Sequence, residues 1–84
     1  MEPLHILGSQ EPHLFDARGI AKRFRHAAIV GALDALNPGE AMHFLNDHDP
    51  LPLLEQLHTR YGEALAMEYL ERGPQRVALR FTRL

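Results

Sequence analysis

The residue in the most chemically suggestive surroundings is His48, in the run Asn46-Asp47-His48-Asp49-Pro50. An imidazole flanked by two aspartates can ligate a metal or accept a proton. The plainer account is local: Asp49 caps a helix, Pro50 fits its first position, and His48 packs or bonds to a turn. His26 is the second candidate. It recurs with Ile29 and Leu33 at helical spacing, which predicts a side chain at least partly buried, and a buried histidine needs a partner. That partner could be a carboxylate such as Asp16, or His26 could join His48 in a site at the strand exits. A satisfied structural histidine is the simpler account, because ligand sites are few.

Other chemistries have less to work with. His5, His13, His43 and His58 are scattered, and no His-x-x-x-His spacing occurs. The chain has no cysteine, which removes thiol nucleophiles, disulfides and sulfur relay, and limits any zinc site to histidine and carboxylate ligands. Ser9 is the only serine, so no nucleophile elbow exists, and neither a Gly-x-Gly-x-x-Gly nor a P-loop pattern is present. Arg72, Arg76 and Arg80 are spaced for one outer strand face, where they could bind an anion or a partner protein; a solvated charged face is the plainer account.

These residues need elements to position them. With 84 residues, 45% hydrophobic and 24% charged, the chain has room for one core and one domain. Met1 to Pro12 reads as an N-terminal arm, and residues 13–84 as a single α+β domain. His13 to Ala17 suits a short first strand ending at Asp16 and Arg18-Gly19. The spacing of His26, Ile29, Val30, Leu33 and Leu36 predicts a helix over about 21–36, stopped by Asn37-Pro38-Gly39. Residues 40–45 alternate as a second strand. Asp49-Pro50 opens a second helix whose stripe is Pro50, Leu53, Leu54, Leu57 and Tyr61, ending at Gly62.

The remainder reads as a hairpin. Leu65, Met67 and Tyr69 alternate inward, Gly73-Pro74 turns the chain, and Val77, Leu79 and Phe81 alternate inward again. For both apolar sets to share a face, paired residue numbers must sum to an even value, which predicts a three-residue loop. Glu68, Arg72, Arg76, Arg80 and Thr82 then share the opposite face. The order β-α-β-α-β-β gives a two-layer sandwich, with two helices on one face of a four-stranded mixed sheet. Its first two strands should be parallel, so that Asp16, Arg18, Asp47, His48 and Asp49 gather on one edge.

Phe15-Asp16-Ala17-Arg18, Arg25-His26 leading into Leu33-Asp34-Ala35-Leu36-Asn37-Pro38-Gly39-Glu40, and Asn46-Asp47-His48-Asp49-Pro50 with Leu53-Leu54 together resemble a bacterial family classed as domain of unknown function 2249. Gly73-Pro74 completes the pattern, which covers about residues 13–83. The resemblance implies a fold similar to the TusA/SirA sulfur carriers and, by association, a place in redox or respiratory metabolism. Those carriers present a Cys-Pro-x-Pro motif at the start of the first helix, where this chain has Arg18-Gly19-Ile20-Ala21-Lys22, so sulfur transfer is not implied. The resemblance also implies a tryptophan in the last strand, where this chain shows Val77.

The resulting expectation is a non-enzymatic binding or interaction module without a cofactor, acting through Asp16, Arg18, His26, Asp47, His48 and Asp49 or through the arginine-bearing face, on another protein or a small ligand. The alternative is a metal- or haem-binding protein using His26 and His48. A net charge of −2 argues against a nucleic-acid partner. Glu2 and Pro3 interrupt any signal peptide, and no window suits a membrane span, which makes the cytoplasm the expected compartment. A homodimer is left open, with Leu4, Ile6 and Leu7 as natural contacts.

Overall fold

Two helical stripes and four alternating strands organise the chain, which the computed structural model describes over residues 11–84. Residues 1–10, with most of the arm and the suggested dimer contacts Leu4, Ile6 and Leu7, lie outside the described residues. The element order is β1 (His13–Asp16), a 3-10 turn (Ala17–Gly19), α1 (Lys22–Asp34), β2 (Ala41–Asn46), α2 (Leu51–Tyr61), a second 3-10 turn (Gly62–Ala64), β3 (Leu65–Arg72) and β4 (Val77–Arg83). The strands lie in the order β1-β2-β4-β3. β1 runs parallel to β2, and the two remaining pairings are antiparallel, so the sheet is mixed as expected.

Alternation in the strands and the 3.6-residue period in the helices meet in one core. Met42, Phe44, Val77, Leu79 and Phe81 from the inner sheet face pack with Ile29 and Leu33 of α1 and Leu53 and Leu57 of α2. Phe44 anchors the centre, its ring centroid 5.5 Å from that of Phe81 and 6.2 Å from that of Phe15. Truncating a fully buried side chain such as Leu57 to alanine costs about 2–5 kcal/mol in a core of this kind. The second helix ends at Gly62, whose φ of 57° and ψ of −130° lie where a side chain is strained.

Three expectations are corrected. The hairpin loop has four residues, 73–76, because β3 carries a bulge between Tyr69 and Glu71. Met67 pairs with Phe81 and Tyr69 with Leu79, keeping the even sum, but beyond the extra residue Leu70 the pairs are Glu71 with Ala78 and Arg72 with Val77. The bulge thus turns Arg72 to the inner face of the sheet, away from the side where Arg80 stands. Next, α2 begins at Leu51 with Pro50 in the capping position and no side-chain cap. Asp49 sits one residue too early to cap the helix. The third correction concerns His26, which is exposed. The buried stripe of α1 runs back from Leu33 and Ile29 to Arg25, four residues before Ile29, instead of to His26.

Candidate functional site

Because β1 and β2 are parallel, both deliver their last residues to the same edge of the sheet, where α1 and α2 also begin. The residue that ties this edge together is Arg25, whose side chain is only 11% exposed. Its Nε donates to the carbonyl of Ile20 at 2.7 Å and Nη2 to that of Arg18 at 3.1 Å. Nη1 donates to Asn46 Oδ1 at 3.1 Å and to the Asp47 carboxylate at 3.1 and 3.3 Å. A planar fork with five N–H groups can join two backbone segments and two side chains at once, which a lysine cannot. Asn46, 3% exposed at the end of β2, extends the network by donating its Nδ2 to the carbonyl of His48 at 3.2 Å.

The expected site residues fall into three groups along this edge. Asp16 and Arg18 pair with each other: Asp16 Oδ1 accepts from the Arg18 backbone N–H and from Nε, and Oδ2 accepts from Nη2 at 2.7 Å. The Arg18 guanidinium holds the Asp16 carboxyl down at about 2. Asp47 and His48 form the second group, with Nδ1 of His48 2.6 Å from Asp47 Oδ1. The hydrogen bond from His48, followed by that from Arg25, lowers Asp47 to about 2. Asp49 belongs to the third group. Its carboxylate accepts the Tyr69 hydroxyl at 2.5 Å and Arg72 Nε at 2.9 Å, while the Arg72 guanidinium lies 4.2 Å from the centre of the Tyr69 ring. The Tyr69 hydroxyl, and secondarily Arg72, lower the Asp49 pKa, and the bond to Asp49 raises that of Tyr69.

Among the described residues His26 meets neither Asp16 nor any other carboxylate; its Nδ1 lies 2.9 Å from Gln56 Oε1 on α2. It does share a cleft with His48. The cleft has a volume of about 190 Å³, and Lys22, Arg25, His26, Asn46 and His48 line it together with Phe44, Pro50, Pro52 and Leu53. Both imidazoles are oriented the same way. The oxygens facing their Nδ1 atoms can only accept, so each Nδ1 carries a proton and each neutral ring leaves Nε2 as the lone-pair atom. Among the described residues no partner contacts either Nε2, and none contacts the Lys22 ammonium.

A carboxylate behind Nδ1 with Nε2 in the open is the arrangement that orients metal-bound and proton-accepting histidines. Among the described residues, however, no group of three or more histidine, aspartate or glutamate side chains is placed to hold a metal ion. Glu55 and His58, three residues apart on α2, are both exposed and do not line the cleft. Sequence reasoning missed Lys22, Arg25 and Asn46 at the cleft and Tyr69 behind Asp49, and it placed Arg72, which also holds Asp49, on the outer sheet face. Arg25 had one available signal: it stands four residues before Ile29, on the buried stripe.

The chain belongs to a family described as an uncharacterized conserved protein, DUF2249, whose model matches residues 14–83. Comparison with curated proteins and with solved structures returned no match. Among the described residues no helix is long and apolar enough to cross a membrane.

Proposed function

We propose that this member of the DUF2249 family is a non-enzymatic binding module that seats a small ligand, or a protruding group of a partner protein, in the cleft between the first turns of α1 and α2. The observation that carries this reading is a division of labour among the polar groups. Arg25, Asn46 and Asp47 spend their hydrogen bonds on one another and on backbone carbonyls, so the floor is rigid. Lys22 and the Nε2 atoms of His26 and His48 have no hydrogen-bond partner among the described residues, and all three residues line the opening. A pre-formed wall with a few unspent polar groups is what a ligand site needs. Asp16, Arg18 and Asp49 flank the cleft as supports for the edge.

The scaffold is read as that of the bacterial TusA/SirA-type carriers, supported by the β-α-β-α-β-β order. With no cysteine at the start of α1 or elsewhere, binding takes the place of sulfur transfer. A cytoplasmic setting is read from the sequence, and a role in redox or respiratory metabolism from family association. A second reading has its own observation: Nε2 of His26 and of His48 are both left as lone-pair atoms at one cleft, which fits a metal ion or haem completed by outside ligands.

The test is amide-resolved NMR of the full chain against a panel of neutral, anionic and cationic small molecules, beside elemental analysis and an absorbance spectrum of protein purified without an affinity tag. Saturable shifts clustered on Lys22, His26, His48 and Leu53 support the module. Absence of any cleft binder refutes it. A stoichiometric metal or a Soret band that disappears in His48→Ala replaces it with the second reading.

A further inference from the structure

Among the described residues the cleft's remaining hydrogen-bonding capacity is mostly donating, with the Nε2 lone pairs of His26 and His48 as the unspent side-chain acceptors on its histidines. Arg25 has five N–H groups; four reach Ile20, Arg18, Asn46 and Asp47, which leaves one on Nη2. Lys22 adds three. Asp47 does not line the cleft, and its carboxylate is already engaged by Arg25 and His48. Among the described residues no acidic side chain lines the cleft. A cation entering there would meet two fixed positive charges and no free carboxylate. An anion would meet Lys22 and the remaining Arg25 N–H. Charge-assisted hydrogen bonds of this kind are roughly twice as strong as neutral ones.

Size narrows the class further. A volume of about 190 Å³ falls below the ~300–1,000 Å³ that encloses drug-sized ligands, so a whole nucleotide would not be enclosed there. It suits one tetrahedral or planar oxyanion with a short tail, and Phe44, Pro50, Pro52 and Leu53 give that tail an apolar wall. We infer that the cleft binds a small molecule through a single carboxylate or phosphate group, an inference that rests on the cleft reading above and names its ligand class. The shared chemistry is an oxyanion of one or two negative charges.

The experiment is a titration of the full chain, followed by amide NMR, with inorganic phosphate and separately with malonate, against chloride at matched ionic strength. Saturable shifts on Lys22, His26 and His48 are expected with one or both probes, and whichever binds more tightly identifies the group. Lys22→Met should weaken binding about tenfold, the worth of one charge-assisted hydrogen bond, whereas Arg80→Met on the opposite sheet face should leave it unchanged. Shifts that fail to saturate, or that respond equally to both substitutions, show ion screening only and overturn the inference. Neutral molecules binding in the cleft where phosphate and malonate do not would overturn it while leaving the cleft reading intact; a cleft that binds nothing, or only a metal ion, overturns both.

Discussion

Replacing Arg25 by methionine keeps most of the aliphatic stem and deletes the fork. The loss can be worked from the partners left behind. The carbonyls of Ile20 and Arg18 and Oδ1 of Asn46 lose a donor. A buried acceptor left unmet costs about 1–3 kcal/mol, and that applies most fully to Asn46, which is 3% exposed. Arg18 is exposed, and Asp47 keeps 40% of its side chain in water, so both rehydrate at little cost. The expected destabilisation is about 2–5 kcal/mol, a large part of the ~4–13 kcal/mol available to a domain of this size. The melting temperature should fall by at least about 10 °C. Arg25→Lys should recover part of this, since a single ammonium keeps the charge near Asp47 but cannot reach all four partners. Urea unfolding followed by far-ultraviolet circular dichroism at pH 7 measures each value, and a double-mutant cycle with Asn46→Ala should return a coupling of about 1 kcal/mol. An Arg25→Met variant within about 0.5 kcal/mol of the parent would refute the reasoning.

The carboxyls give an acid prediction whose sign is fixed. Asp16 and Asp47 both stand at about 2 in the fold against an ordinary 3.8, so their contribution is present above 3.8 and is lost as the pH falls toward 2. Asp16→Asn/Asp47→Asn should be less stable at pH 6 and lose less between those two values; an unchanged acid limb in the unfolding midpoint would contradict this. The two tyrosines, in a chain without tryptophan, permit a clean ultraviolet titration. Tyr61 is raised mainly by burial and Tyr69 mainly by its bond to Asp49, so both should ionise above the ordinary value of 10, and Asp49→Asn should bring one of them down. Gly62→Ala forces a side chain into a strained backbone conformation and should cost about 1–3 kcal/mol, read from the same urea curves; a neutral result would mean that the turn relaxes.

The elements were legible because each has enough residues for its period to show. Leu53, Leu57 and Tyr61 read as a helical stripe, and Met42 with Phe44, or Leu79 with Phe81, as a strand face. The site was legible only as a region. Ile29 extrapolates backwards to both position 25 and position 26, and the spacing alone cannot choose between them; the arginine takes the buried place because five donors answer the carbonyls waiting there. Asp49-Pro50 has the composition of a cap, but Pro52 follows two residues later and the helix starts after Pro50, which frees Asp49 for Tyr69. The parity argument for the hairpin was sound while the ladder stayed regular. One inserted residue leaves almost no mark on an alternating pattern, so Arg72 was assigned to the wrong side of the sheet.

That insertion has a bearing on how these molecules behave in a crowd. β3 is an outer strand of the sheet, with a row of backbone groups that another chain could extend. The irregularity at Leu70, with Glu68, Glu71 and Arg72 around it, interrupts that row and surrounds it with charge. Deleting Leu70 would leave Arg72 opposite Val77, but it would straighten the border of the sheet into a template for stacking. The deletion should show itself first as turbidity at high concentration, before any loss of helix is seen.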